Sequence, residues 1–200
     1  QWAGGFRVPT VVRWPSVIEP GTVINDIAAH EDMLTTLVAA AGNTTAKKDL
    51  LKGKRFGDRT YKVHLDGYDV GLALKGEAEW PRKEFIYWTD DGSVAALRYG
   101  DMKATFLMQH AEGYKVWTTP FEVLRAPSLT NLRMDPFERA EAEHAMGYQR
   151  WWAERMFLFA AAGAYVGMRL QSFKEFPPRQ KPGSFYLERA MEAVTNSSKQ

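Results

Sequence analysis

The sequence predicts an α+β fold in which a four-stranded antiparallel sheet is followed by a long helix. Between residues 84 and 134, short apolar runs alternate with glycine turns such as Asp91-Gly92, a pattern typical of antiparallel hairpins. Beyond the sheet, apolar side chains recur in steps of 4, 3, 4, 3 and 4 at Trp152, Met156, Phe159, Gly163, Val166 and Leu170. These steps place one apolar stripe along a helix that packs on the sheet.

The first sixty residues are predicted to contain a strand, a helix and a loop. Gly4-Gly5 is followed by a β-branched run, so residues 6–14 are predicted to form a strand. Apolar residues at helical spacing predict a helix over 26–41, which Gly42 ends. The polar and basic stretch 43–60 is predicted to be a surface loop. Because a strand so early in the sequence has no upstream partner, part of the fold is expected to lie outside this chain.

Shorter patterns place the elements that follow residue 60. The alternation in 61–65 predicts a short strand, and a short helix is expected near 69–75. One face of the sheet is expected to be buried. The predicted strands of the sheet are residues 85–88, 94–99, 103–108 and 114–117, with 129–132 closing it. The predicted helices are 144–173, which ends before Pro177-Pro178, and 184–194.

Composition excludes several classes of function. The net charge of +2 provides no strong field for nucleic acid or an acidic membrane. The absence of cysteine excludes disulfides, thiolate metal sites and a cysteine nucleophile. No stretch approaches the ~18 consecutive apolar residues that a membrane span needs.

The candidate binding residues are His64, Asp66 and Asp69, at the end of a strand and the following turn. A metal site is possible there, but Asp66-Gly67 is also ordinary turn chemistry, and this second interpretation is favoured. In the cluster His30-Glu31-Asp32, adjacent helical positions point ~100° apart and cannot all face one metal. A capping or surface role is favoured for this cluster. No catalytic residue and no metal site is predicted.

Two hypotheses about independent function remain open at this point. In the first, the chain is a promiscuous esterase-like hydrolase that uses His64, Asp66, Asp69 and Ser184, although no Gly-x-Ser-x-Gly motif is present. In the second, it is a non-catalytic assembly module that forms oligomers through an exposed sheet edge or apolar face.

Six segments resemble, in the same order, segments of the type I sulfatases, in particular the bacterial arylsulfatases. Together with Phe176–Phe185, which resembles the tail of one bacterial branch, they extend over nearly the whole chain, and the order makes the resemblance specific. They are Gly4–Pro9 with Arg13-Trp14-Pro15, Ser16–Gly21, His30–Leu37 with Ala39–Gly42, His64–Asp69 with Leu74-Lys75-Gly76, Leu97–Lys103, and Asn131–Glu138.

The resemblance implies a division of the fold. Sulfatases have a large N-terminal α/β domain of the alkaline-phosphatase type and a smaller C-terminal domain with a four-stranded antiparallel sheet packed by a helix. Residues 1–60 would be a remnant of the large domain, and residues 61–200 would be the C-terminal subdomain.

The resemblance also implies that the reactive centre lies elsewhere. The family's nucleophile is a formylglycine made from the first residue of Cys/Ser-x-Pro-x-Arg, and this string is absent here. The calcium ligands and a catalytic lysine of the family are expected ahead of residue 1. We therefore expect a C-terminal arylsulfatase fragment that is inactive alone and holds no cofactor, whereas the full-length enzyme uses calcium and formylglycine.

The expected partner is the missing N-terminal sulfatase domain or, alternatively, a second copy of the chain bound through the exposed face. No nucleic acid and no membrane span is expected. The resemblance to bacterial members implies a periplasmic or secreted parent protein.

Overall fold

The structure, a computed structural model, describes residues 2–178 and confirms an α+β fold. In chain order the elements are α1 (Ala3–Phe6), α2 (His30–Ala40), α3 (Ala46–Lys52), β1 (Lys54–Phe56), β2 (Arg59–Tyr61), α4 (Gly71–Leu74), β3 (Glu84–Trp88), β4 (Val94–Tyr99), β5 (Met102–Met108), a 3-10 helix (Gly113–Trp117), β6 (Glu122–Asn131), α5 (Tyr148–Ala153) and α6 (Phe157–Glu175). Strands β1 and β2 form a hairpin, and the four-stranded antiparallel sheet has the order β3-β4-β5-β6.

The four-stranded sheet is covered on both faces along its middle, whereas the sequence predicts one buried face. Side chains alternate between the two faces along each strand. On one face, Tyr87 packs with Ala3 from the N-terminal segment. On the other face, Trp88 stacks on Phe173 of α6, with ring centroids 5.6 Å apart. Residues 95–97 of β4 are consequently all buried.

The single helix predicted over 144–173 is wrong, because the chain forms α5 and α6 with a short turn between them. Helix α5 lies along the edge of β6. The Tyr148 hydroxyl donates to the Leu129 carbonyl at 3.0 Å, and the Trp152 indole N–H donates to the Pro127 carbonyl at 2.9 Å. Helix α6 packs across the face of the sheet instead. One straight helix cannot follow both the edge and the face, so the helix is broken.

The strand predicted over 6–14 is also wrong. Ala3–Phe6 forms one helical turn, and the extended segment after it has no strand partner among the described residues. β-branched residues favour extended backbone, but a strand also needs a neighbouring strand to bond. Val8 and Val11 are exposed as a result, Val11 to 95%. The helix predicted over 26–41 is confirmed as α2, although it begins later.

Residues 43–60, predicted to be a surface loop, contain α3 and the β1–β2 hairpin, which turns at Gly57 with φ of 59°. Basic side chains can project into solvent from an exposed helix or hairpin, so their abundance does not exclude regular structure. The strand predicted over 61–65 is not formed beyond Tyr61, which ends β2. The helix expected near 69–75 is confirmed as α4.

In the sheet, the strand predicted over 114–117 is wrong, because these residues belong to the 3-10 helix. Tyr114 and Trp117 are 93% and 77% exposed, so this segment does not alternate between a buried and an open face. The fourth strand is β6, which is much longer than the predicted closing segment 129–132. The other predicted strands are confirmed as β3, β4 and β5. The helix predicted over 184–194 lies outside the described residues.

Candidate functional site

Two of the three candidate binding residues lie together in the irregular segment before α4. His64 Nδ1 is 3.2 Å from Asp66 Oδ1, and the imidazole packs against the Phe176 ring with centroids 5.7 Å apart. Arg169 of α6 approaches the same carboxylate at 3.7 Å. Among the described residues, His64 therefore pairs with the Asp66 carboxylate, which Arg169 of α6 also contacts.

Gly67 serves a close approach of two backbones rather than the turn that the sequence predicts. A Cβ added at Gly67 would lie 2.0 Å from the Glu31 carbonyl oxygen and 2.9 Å from Thr35 Oγ1. Only glycine therefore fits between this segment and α2. The third candidate residue makes a local turn contact, because Asp69 Oδ1 accepts a hydrogen bond at 2.9 Å from the N–H of Gly71, two residues later.

A buried ion pair lies beside this segment, between α2 and the chain that enters β3. Asp32 is fully buried, and Arg82 Nε and Nη2 donate to its two oxygens at 2.7 and 2.6 Å. The same carboxylate accepts the N–H groups of Ala29 at 2.9 Å and Tyr68 at 2.7 Å. Arg82 also reaches Glu31 at 2.6 Å. The bond to Ala29 confirms the predicted capping role of the cluster, and the burial of Asp32 adds a second role.

The charges of this network reinforce one another. Burial acts to lower the pKa of the Arg82 guanidinium, but its two carboxylate partners outweigh burial and hold the pKa above its ordinary value. Beside it, Tyr68 donates its hydroxyl to Glu84 Oε1 at 2.7 Å, and burial together with that carboxylate raises the tyrosine pKa. Burial and the charge of Glu84 also raise the pKa of Tyr165 on α6. Both tyrosines therefore stay protonated donors at neutral pH.

Lys47 of α3 closes the network on its other side. Its Nζ donates to the Gly67 carbonyl at 2.8 Å and lies 5.1 Å from the centroid of the Tyr68 ring. Burial lowers the pKa of Lys47, and the charge of Asp66 opposes that shift. The network thus connects α2, α3, α6 and the start of β3 through paired charges. We therefore assign it a structural role.

Within residues 2–178, no three histidine or acidic side chains are arranged to hold a metal ion. The donor set does not fit the calcium site that the resemblance implies for the complete enzyme, so we assign no calcium ligand to these residues. The chain has no cysteine and no Ser-x-Pro-x-Arg string, so it also contains no formylglycine precursor. Across the same described range, no helix has the length and apolar character needed to cross a bilayer.

A second buried ion pair joins Lys103 of β5 to Glu138, which follows β6 in the chain. The two atoms, Nζ and Oε2, are 2.5 Å apart. Both residues lie in segments that resemble sulfatases, but the sequence gives neither a role. The alternation of β5 does not reveal Lys103, because the apolar residues Met102 and Ala104 flank it and residues 103–105 are all buried. Arg82 and Glu84 likewise carry no signal.

Comparison with known proteins relates the chain to sulfatases. It is 32% identical over 109 residues to an arylsulfatase from Hemicentrotus pulcherrimus, which covers 54% of this chain and 17% of that protein. It is 30% identical over 106 residues to a steryl-sulfatase from Mus musculus, covering 53% and 15%. It is 26% identical over 148 residues to an ulvan-active sulfatase from Formosa agariphila, covering 68% and 28%. The chain thus spans less than a third of the length of each of these relatives.

No protein-family model matches the chain. Among solved structures, the PsFucS1 sulfatase from Pseudoalteromonas sp. aligns with a TM-score of 0.44 and 21% identity, covering 59% of this chain and 23% of that one. A TM-score this low does not establish a shared fold. The sequence matches confirm the resemblance to sulfatases. Animal proteins are among them, so a bacterial origin stays a prediction.

Proposed function

We propose that this chain, which is similar to sulfatases over about half of its length, is the C-terminal part of an arylsulfatase, a hydrolase of sulfuric esters. The observation that carries the proposal is the similarity to an arylsulfatase and a steryl-sulfatase over 54% and 53% of this chain, but only 17% and 15% of those proteins. The remainder of the parent enzyme is expected to supply formylglycine and calcium. The chain alone is then inactive.

The N-terminal segment supports the proposal, because its β-branched residues pair with no strand in the described part of the chain. Val8, Val11 and Val12 are 60%, 95% and 45% exposed and belong to no regular element. Exposed, β-branched, extended segments readily add to the edge of another sheet. We place the contact with the catalytic unit of the parent enzyme at this segment.

In this proposal, the described polar residues have supporting roles. The network around Asp32 and Arg82 and the pair of Lys103 and Glu138 fix helices and irregular segments against the sheet. They leave the chemistry to the catalytic unit, and the fragment contributes a stable platform for it.

The natural gene and its product test the proposal. An upstream reading frame that encodes Cys-x-Pro-x-Arg or Ser-x-Pro-x-Arg is expected, together with an intact mass well above the 22.7 kDa of this chain. A natural protein whose intact mass equals 22.7 kDa would contradict the proposal.

The contact of His64 with Asp66 keeps one second candidate open, an esterase-like hydrolase. Ser184, its proposed nucleophile, lies outside the described residues. Loss of aryl-ester turnover in His64→Ala, with turnover retained in His110→Ala, would favour this alternative. His110 is a matched control because it also contacts a carboxylate, Glu122 at 3.0 Å, and both side chains are exposed. Equal turnover in both variants removes the alternative.

Self-association is the competing use of the exposed N-terminal segment. Sedimentation of the purified chain distinguishes the two uses. If copies pair through this segment, oligomers form at high concentration and Val11→Lys abolishes them, whereas Leu72→Lys on the exposed surface of α4 does not. A chain that stays monomeric favours pairing with the parent enzyme instead.

A further inference from the structure

The carboxylate of Glu138 connects two parts of the molecule that are far apart in the sequence. Its Oε2 lies 2.5 Å from Lys103 Nζ, and its Oε1 accepts the backbone N–H of Ala3 at 2.5 Å. The Lys103 side chain is fully buried, and that of Glu138 is 5% exposed. One buried carboxylate therefore bonds both the sheet and the N-terminal segment.

A second contact holds the same segment a few residues later. The Phe6 ring meets the Tyr87 ring at 4.8 Å and the Phe85 ring at 6.0 Å, both edge to face. Lys103 Nζ lies 4.7 Å from the centroid of the same Tyr87 ring. The segment is thus fixed at Ala3 by a hydrogen bond and at Phe6 by aromatic packing.

Between these two contacts, Gly4 and Gly5 touch nothing that would exclude a side chain. A Cβ added at either glycine meets no atom within 4 Å. Glycine is therefore not required there for close packing, and two adjacent glycines make this helical turn entropically costly to fix. The bond from the Ala3 N–H to Glu138 matters because it holds the start of this turn, whose Ala3 carbonyl accepts the Arg7 N–H at 2.9 Å.

Stability alone gives little reason for this arrangement. Burial of an ion pair costs desolvation that its attraction roughly repays, so an apolar pair of similar size is often as stable. A buried carboxylate with one oxygen on a lysine and the other on a backbone N–H does provide directionality, which apolar packing lacks.

We infer that Glu138 is a positioning residue that fixes Trp2–Phe6 on the sheet, oriented by Lys103, and so sets where the exposed Val8–Val12 segment leaves the domain. That the Val8–Val12 segment joins a catalytic unit at this point rests on the proposed function. The positioning itself concerns only this chain and can be tested without any sulfatase activity.

The test compares two variants of the full 200-residue chain that both lack the buried charges, Lys103→Met/Glu138→Gln and Lys103→Met/Glu138→Ala. The glutamine retains an oxygen for the Ala3 N–H, and the alanine does not. Hydrogen exchange by NMR is read at the Ala3 amide, with the Leu97 amide in the central strand β4, opposite Ala104 of β5, reporting the sheet. Glu143→Ala is the control, because Glu143 is an exposed glutamate paired with Arg139 at 3.5 Å.

The alanine variant is expected to exchange the Ala3 amide ~10-fold or more faster than the glutamine variant, as loss of one buried hydrogen bond implies. Trypsin should also cut faster after Arg7 in the alanine variant. Exchange at Leu97, and both readouts in Glu143→Ala, should stay at the wild-type level. Equal Ala3 exchange in the two double variants would overturn the inference. Loss of Leu97 protection in either would also overturn it, because the pair would then hold the sheet rather than the segment.

Discussion

At the scale of single residues, the most consequential feature is a carboxylate that serves three parts of the chain. Asp32 caps the start of α2 through Ala29, holds the irregular segment through the Tyr68 N–H, and neutralises Arg82. Its sequence neighbourhood predicts the first of these bonds, because an acid in the first helical turn is a common cap. The other two depend on residues 36 and 50 positions away, and no local pattern indicates them.

The variant Asp32→Asn tests this interpretation. We expect it to lower the free energy of unfolding by about 3 kcal/mol or more, because Arg82 would remain buried with an incomplete partner. Urea denaturation followed by circular dichroism measures the change. Glu31→Gln is the matched control, since its side chain is 43% exposed and the loss should stay under about 1 kcal/mol. Similar losses in both variants would show that Asp32 is no more than a cap.

Four tyrosines should titrate late in the folded chain. Burial raises the pKa values of Tyr68, Tyr87, Tyr148 and Tyr165, so each binds its proton more tightly in the folded state than in the unfolded state. The stability that they contribute is complete below the ordinary tyrosine pKa of about 10 and is lost as pH rises through the higher folded values.

Absorbance at 295 nm follows this titration directly. In the native chain, part of the tyrosinate signal should appear only above the pH at which it appears in denaturant. The half-buried Lys47 and the buried Lys103, whose pKa values burial lowers, act on stability in the opposite direction, so absorbance is a better readout than stability. A native titration that superimposes on the denatured one while the fold persists would contradict the burial of these rings.

At the scale of elements, the sequence predicts α2, α4 and strands β3 to β5 because each carries its own periodicity or turn. It fails for the strand over 6–14 and for the loop over 43–60. The first has strand composition and no neighbouring strand in the described chain. The second has loop composition but enough helical and hairpin propensity to form α3 and the β1–β2 hairpin. Composition indicates the propensity of a segment by itself, whereas the formation of a strand also depends on a neighbouring strand with which it can hydrogen-bond.

Two glycine substitutions test the packing of elements in opposite directions. Gly167→Ala in α6 should raise the free energy of unfolding by about 0.5–1 kcal/mol, because an added Cβ meets no atom within 4 Å and helical glycine is entropically costly. Gly67→Ala should severely destabilise the chain, since the new Cβ would lie 2.0 Å from the Glu31 carbonyl. Thermal unfolding of the two variants provides the comparison. A tolerated Gly67→Ala would show that the irregular segment does not press against α2.

At the scale of the whole molecule, the candidate site changes character between sequence and structure. His64 and Asp66 contact each other, Asp69 bonds the neighbouring Gly71 N–H, and the densest polar network forms around Asp32 and Arg82 instead. This network pairs its charges internally. Within residues 2–178, the exposed valine segment has no strand partner, which fits the proposal that the reactive groups are supplied from elsewhere.

The most direct test of this account is the turnover of 4-nitrophenyl sulfate by the purified 200-residue chain, compared with the same chain joined to its natural upstream coding region. The account predicts no turnover above buffer for the chain alone. It predicts turnover for the extended protein that requires formylglycine and calcium. Turnover by the 200-residue chain itself, or an extended protein that stays inactive with formylglycine and calcium in place, would contradict it.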